Sequence, residues 1–273
     1  MAAPWFLRAT LASGAMAAAA FAPDAGAQVP SDLAGERAVF AEWLARSPLS
    51  PNAAIAVVAI DATGSSLPID GPPRRLVERA GVVWIEGNGP AQRVPLGRPF
   101  ALGKYRVVVN GDRGRARALV YGAVAAGTAP AYYDYDPRLV FAVSLAPPSG
   151  ASARAEGHRV LLADGTEVTG TDAGTVEVGI GTKTRLRVLR LPDPSPDETT
   201  LQIYFRDAST GSGSYPAGRF VTLDPLPGGR WRLDFNRARN PFCAYNAAYP
   251  CPAPWRGNSL TGAVRAGERY KSH

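Results

Sequence analysis

The chain reads as a mainly β protein: two packed antiparallel β units, sandwich or barrel-like, with one N-terminal α-helix. Three observations predict this. Apolar and polar residues alternate with a period of two in several segments, most clearly in YRVVVNGDRGRARALVYG at residues 105–122. The 29 Gly and 25 Pro favour short elements joined by many turns. Helical spacing of apolar residues is confined to one segment near the N-terminus. With 273 residues, 46% of them hydrophobic and 19% charged, the chain is globular and long enough for a sizeable core.

The elements follow in order. Arg8 precedes an apolar, Ala-rich run at residues 11–22, and Ala25-Gly26-Ala27 comes next. A weakly charged start, an apolar run and a small-residue site form a signal peptide, with cleavage expected after Ala27 and a periplasmic or secreted destination. The run is too short and too Ala-rich to span a bilayer, and no later stretch approaches eighteen apolar residues, so no transmembrane segment is expected.

SDLAGERAVFAEWLARSPLSPN then reads as an amphipathic helix. Ser31 is the expected N-cap, Val39, Phe40, Trp43 and Leu44 form the apolar stripe, and Pro48 lies beyond the end. Residues 53–60, AAIAVVAI, are a short β-branched run expected to be a buried strand. GVVWIEG at 81–87 is another strand. Residues 105–121 form a hairpin, with Tyr105, Val107 and Val109 on one face and a turn opening at Asn110-Gly111. LVFAVSLAPP leads into a Pro-, Ser- and Ala-rich stretch near 147–152, the expected boundary. Residues 1–27 are then the signal peptide, 28–147 the helix with the first β unit, and 148–273 the second unit.

Beyond the boundary, HRVLLADGTEVTG reads as a second hairpin about Asp164-Gly165. TVEVGIG, TRLRVLRL, LQIYFRD and RWRLDFN alternate as strands, and no long helix is expected after residue 46. Asp164, Glu167 and Asp172 lack the spacing and terminal Glu of a calcium loop, so turn chemistry is the reading.

Composition excludes much chemistry. Before the terminal His273 the only histidine is His158, so multi-histidine metal sites lack ligands and a Ser-His-Asp triad would rest on that one residue. No glycine-rich phosphate loop is present; GIGTK at 179–183 lacks the spacing. No metal or cofactor is expected. The 30 Lys and Arg outnumber the 23 Asp and Glu, for +7, and the leader's Arg8 and Asp24 cancel. The arginines are scattered through alternating segments rather than gathered with aromatic residues, which argues against nucleic acid as a partner.

Cys243 and Cys251 are the only cysteines, with seven residues between them in a Pro- and Asn-rich tail of a chain expected to be exported, and a disulfide is their expected state. No activating base stands near either for thiol chemistry. Just before them, Trp231, Leu233 and Phe235 take the core side of a strand, leaving Arg232, Asp234 and Asn236 on the other. Leu201, Ile203 and Phe205 likewise point inward, with Tyr204 and Arg206 opposite and Asp207 at the strand's end. The Gly- and Ser-rich loop ASTGSGSYPAGRF, with Tyr215, closes on Arg219. If these two strands are neighbours, one cluster gathers Arg206, Asp207, Arg219, Asp234, Asn236 and Arg237, with Tyr215 and Asn240 beside it.

FRDASTGSGSYPAGRF (205–220), DFNRARNPFCAYNAAYPCP (234–252) and VRAGERY (264–270) resemble the bacterial domain-of-unknown-function family 1684. Its pattern runs F-x-D-x-T/S-x-G-x-x-x-Y-x-x-G-R-F, then D-F-N-x-A-x-N-P-x-C-A, a Cys-Pro and A-G-E-K/R. The resemblance implies no established activity. In relatives the N-terminal region resembles a forkhead-associated-like sandwich; this chain has no Gly-Arg plus Ser-x-x-His pattern, and phosphopeptide binding is not implied. The cluster has two readings. Asp207 and Asp234 pair with Arg206, Arg219 or Arg237 to fix a loop-rich fold, or the guanidinium forks face a small anionic or polar ligand in the cell envelope. A third reading makes Asp207 and Asp234 the acid and base of a hydrolase. Adjacent arginines oppose it, because they favour charged carboxylates where a general acid needs a neutral one.

Overall fold

The computed structural model describes residues 27–111, 114–127, 129–149, 157–162, 166–192, 199–255 and 257–270. The Asp164-Gly165 turn, half of the expected boundary and all but the last residue of the expected leader lie outside these residues.

The helix α1 spans Ser31–Arg46, as its periodicity predicts, but Pro30 rather than Ser31 holds the N-cap position and no side chain caps it. Proline suits a helix start because its missing N–H has no partner there in any case. Leu33, Phe40 and Leu44 are the buried stripe; Val39 is 48% exposed and falls outside it.

Seventeen strands follow among the described residues. The first eight are β1 (Ala54–Ala59), β2 (Ser65–Ser66), β3 (Arg75–Arg79), β4 (Val82–Gly87), β5 (Gly89–Arg93), β6 (Phe100–Leu102), β7 (Tyr105–Asn110) and β8 (Arg117–Tyr121). They make two four-stranded sheets, ordered β1-β8-β7-β6 and β2-β3-β4-β5. Leu76, Val83 and Ile85 from one sheet and Val107, Val109, Ala118 and Val120 from the other share one core, so the two sheets pack as a sandwich. The alternate residues Val108, Leu119 and Tyr121 face the opposite way and bury against Phe242 and Tyr249. β7 and β8 are therefore covered on both faces. β1, an edge strand, is only half-buried and exposes Ile55, so the buried strand expected at 53–60 is corrected to an edge.

The remaining strands are β9 (Ala131–Tyr132), β10 (Val140–Ser144), β11 (His158–Leu161), β12 (Glu167–Ile180), β13 (Thr182–Pro192), β14 (Thr199–Phe205), β15 (Arg219–Leu226), β16 (Arg230–Asp234) and β17 (Glu268–Arg269). Seven of them form an antiparallel sheet ordered β10-β16-β15-β14-β13-β12-β11, and β9 pairs with β17. Just past β10, Ala146 exchanges two backbone hydrogen bonds of 2.8 Å with Thr175 of β12, which closes six strands into a ring and leaves β11 as an extension. Gly174 makes this closure possible. It sits at a bulge with φ +120°, and a Cβ there would lie 1.9 Å from the Ala146 carbonyl oxygen. Val176, Leu186, Val188, Ile203, Phe205, Leu233 and Phe235 fill the interior.

Two arrangements set up the site. β14 and β16 are not neighbours, because β15 lies between them. The loops after β16 pack across the N-terminal sandwich, where Asn246 Nδ2 donates to the carbonyls of Pro51 (2.9 Å) and Ala54 (2.8 Å).

Candidate functional site: a buried carboxyl centre at Glu268

The eight polar residues singled out in the sequence separate into distinct networks, since β15 parts the strands that were to bring them together. Arg219 and Asp207 form the first. Arg219 opens β15 and is 1% exposed. Its Nη1 donates to the carbonyls of Ala266 (2.6 Å) and Glu268 (2.9 Å), and its Nη2 to the carbonyl of Val264 (2.7 Å) and to Asp207 Oδ2 (3.0 Å). Asp207 Oδ1 accepts from Ser209 N (2.7 Å), Ser209 Oγ (2.5 Å) and Val264 N (3.1 Å). These bonds clasp the 264–268 segment onto the ends of β14 and β15. Both Nη groups are spent on the protein itself, so Arg219 offers no fork to a ligand.

Asp234, Asn236 and Arg237 form the second network, at the end of β16. Asp234 Oδ1 accepts from Asn236 N and Nδ2, both at 2.9 Å, and Asn236 in turn holds the backbone N and O of Asp136 at 2.9 Å. Arg237 reaches Asp32 (2.5 Å) and Glu36 on α1, and its Nε lies 3.3 Å from Asp234 Oδ2. Burial opposes charge on Arg237, but these three carboxylates outweigh it and raise its pKa. The network docks α1. Both aspartates of the hydrolase reading are thus ion-paired, each in a different network.

Arg206 and Tyr215 belong to neither. Arg206 has an exposed side chain, and its backbone pairs with the 258–260 segment. The Tyr215 hydroxyl lies 3.4 Å from each sulfur of the Cys243–Cys251 disulfide, whose Cα atoms are 5.5 Å apart, and its ring meets Tyr270 edge-on.

The eighth residue, Asn240, leads to a centre that the alternation pattern does not reveal. Its backbone N–H donates to Glu268 Oε2 at 2.6 Å. Tyr245, carried between the two cysteines, donates its hydroxyl to Glu268 Oε1 at 2.8 Å. Glu268 is 0% exposed, and the Arg219 clasp fixes its carbonyl. Across the β9–β17 pair, Glu268 stands opposite Tyr132. The guanidinium of Arg37 on α1 lies 4.2 Å from the centre of the Tyr132 ring, and that of Arg239 lies 4.4 Å from the centre of Phe40.

Burial raises the pKa of Glu268, opposed by Arg239, the Asn240 N–H and Tyr245. Burial, then the neighbouring Glu268, raises Tyr132 and Tyr245. Burial lowers Arg37. Two buried oxygens here, Tyr132 Oη and Asn240 Oδ1, have no hydrogen-bond partner among the described residues. The arrangement can hold a proton on a carboxyl inside the protein and offers unmet hydrogen-bonding capacity beside it. Among the described residues no group of His, Cys, Asp and Glu could hold a metal ion, and no helix is long and apolar enough to cross a membrane.

Sequence reasoning missed Glu268, Tyr132, Tyr245, Arg239 and Arg37. The signal for Glu268 was present: it is the acidic residue of the A-G-E-R segment. The Tyr132 strand has two residues and no readable alternation.

Fold and site together define a mainly antiparallel β protein with a ring-closed sheet and a buried Glu–Tyr–Arg centre. Residues 128–269, just over half of the chain, match the family described as "Protein of unknown function (DUF1684)", and the chain belongs to that family. The centre's Tyr132, Arg239, Asn240, Tyr245 and Glu268 all fall inside the matched region. The chain is similar to the uncharacterized protein from gene locus rrnAC0354 of Haloarcula marismortui, solved by solution NMR. The identity is 33% over 52% of this chain and 76% of that one, with a TM-score of 0.42. No curated protein matches.

Proposed function

We propose that this chain is an exported protein of the cell envelope that binds a small polar or anionic ligand at the Glu268 centre. The observation that carries the reading is the fully buried Glu268 carboxyl, bordered by residues whose buried oxygens Tyr132 Oη and Asn240 Oδ1 lack partners. An uncompensated buried polar group costs about 1–3 kcal/mol, so a fold retaining two beside a carboxyl favours something that satisfies them. The apolar leader and the cystine-bonded tail support export. The Arg219–Asp207 and Asp234–Asn236–Arg237 networks serve the structure.

The test is non-denaturing mass spectrometry of protein recovered from the periplasm of its host, beside the Tyr132→Phe variant. A mature N-terminus at Gln28 and an added small-molecule mass, diminished in the variant, are expected. Unprocessed chain in the cytoplasm would remove the export half. An unadorned mass, with no thermal shift across a panel of envelope metabolites, would remove the binding half.

A further inference from the structure

A cavity of about 510 Å³ opens at one end of the N-terminal sandwich, between the β2–β3 connection and the β6–β7 turn. None of the residues at the Glu268 centre contributes to it, and its size falls within the ~300–1,000 Å³ usual for small-molecule sites. The apolar part of its wall is Ile69, Pro72 and Leu102, and both Ile69 and Leu102 pack half-buried against the sandwich core. The charged part is Asp70, Arg74 and Lys104.

The turn fixes that charged wall. Leu102 pairs with Tyr105, and Gly103, at φ +59°, takes the first position of the two-residue turn between them, which sets Lys104 at the tip. Lys104 Nζ lies 2.7 Å from Asp70 Oδ2. The Tyr105 hydroxyl donates to the same oxygen at 2.8 Å and accepts from Asp70 N at 3.3 Å. Lys104 thus balances the one carboxylate of the lining, and Arg74 is the charge left over. Arg74 is half-buried, and its guanidinium has no hydrogen bond or ion pair among the described residues.

These groups select a ligand. The planar guanidinium fork suits a carboxylate, which can take two of its N–H donors at once. A cation would meet two positive groups against one negative. An uncharged apolar molecule would cover the wall but leave the fork of Arg74 unmet. The geometry points to a binding site for a small carboxylate with an apolar body, its head on Arg74 and its body against Ile69, Pro72 and Leu102. This site stands whether or not the Glu268 centre binds anything.

The experiment is titration of the ¹⁵N-labelled mature protein, followed at the backbone amides of Gly71 and Gly103, which line the cavity. Octanoate is the probe; acetate presents the head alone, octanol the body alone and octylammonium the opposite charge. Saturable shifts with octanoate are expected, at least tenfold tighter than with the other three. Arg74→Gln should weaken octanoate at least tenfold, with amides of the ring-closed sheet unmoved as the control for folding. Asp70→Asn keeps an acceptor for the Tyr105 hydroxyl but removes the lining's only carboxylate, and it should tighten octanoate about two- to fivefold. Octanol bound as well as octanoate, or octylammonium bound more tightly, would overturn the anionic class. Octanoate binding that ignores Arg74→Gln, or that Asp70→Asn weakens, would overturn the chemistry assigned to the wall. No saturable shift at Gly71 or Gly103 with any probe would remove the site, and none of these results bears on Glu268.

Discussion

Arg219 offers the sharpest test of the structural role assigned to the first network. In Arg219→Met the chain keeps a long apolar stem of similar reach but loses four hydrogen bonds, to the carbonyls of Val264, Ala266 and Glu268 and to Asp207. Asp207 and Arg219 side chains are each 1% exposed, so the carboxylate left behind stays buried. Breaking a buried pair by removing one partner costs about 3–5 kcal/mol, and each stranded carbonyl adds about 1–3 where water cannot reach it. These terms are not additive, but a loss of about 5 kcal/mol or more is expected, comparable with the ~5–15 kcal/mol that holds a whole domain folded. Pairing the change with Asp207→Asn removes the orphaned charge and is expected to recover about 1–2 kcal/mol of the loss. The assay is urea unfolding followed by tryptophan fluorescence and far-UV circular dichroism on the two single variants and the double. A native-like Arg219→Met that loses less than about 1 kcal/mol would refute the reasoning, since the clasp would then contribute no more than a surface pair.

Glu268→Gln is expected to change the pH dependence of stability. Because burial raises the folded-state pKa above the ordinary 4.5, the group's contribution is fully present below that value and is lost as pH rises through the folded pKa. The variant should therefore gain on the parent protein as pH rises above about 4.5, until the folded-state carboxyl ionises, by ~1.4 kcal/mol for each tenfold displacement of that proton equilibrium; a constant difference between the two would contradict the burial argument. Arg237→Met leaves Asp234, only 7% exposed at its side chain, without its cation and frees α1 from Asp32 and Glu36. A loss of about 1–3 kcal/mol and faster proteolysis near α1 are expected, whereas Arg46→Met, whose ion-pair partner Glu42 is exposed, should change stability by less than ~0.5 kcal/mol. Replacing Cys243 and Cys251 together by serine should cost roughly 2.5 kcal/mol, the entropy of closing so short a loop, and thermal melting with and without reductant checks it.

What was legible followed from periodicity. A period of two gave β7, β8, β14 and β16 their inward faces, because a strand with a buried side must alternate. Helical spacing gave α1 its length, yet it misassigned Val39, since the real stripe is set by where α1 crosses the loops that it covers. β15 was not legible: Asp224-Pro225 interrupts its alternation and Gly228-Gly229 follows, so the segment reads as a turn. Pro225 also has no N–H to donate. The sheet order depends on this one strand, and missing it placed β14 beside β16. The closure of the ring was equally hidden. Ala146 and Thr175 are residues of no special pattern, and only Gly174 hints that another backbone passes close. Nor does the Pro-rich stretch after residue 146 disclose that β10, which precedes it, hydrogen-bonds with the later strands.

The site was half legible for a related reason. Charged residues on an alternating face announce themselves, and Arg219, Asp207, Asp234 and Arg237 are indeed tied into networks. Alternation tells only that a side chain leaves the sheet's interior, not what awaits it. Arg219 met three carbonyls of the 264–268 segment, which no period couples to β15. Those same contacts explain why Glu268 is buried. A two-residue strand cannot bury a carboxylate by its own propensity. It does so here because Arg219 holds the backbone of 264–268 and the cystine loop delivers Tyr245 from the other direction. The buried carboxyl is thus a consequence of the clasp, and the order of effects can be measured. Asp207→Asn, which keeps an acceptor for Ser209 and Val264 but weakens the hold of Arg219, should shift the Glu268 side-chain carboxyl resonance and its titration. Glu268→Gln should leave the Arg219–Asp207 pair in place. Equal disturbance in both directions would mean that the two networks form one cooperative unit rather than a support and the centre that it carries.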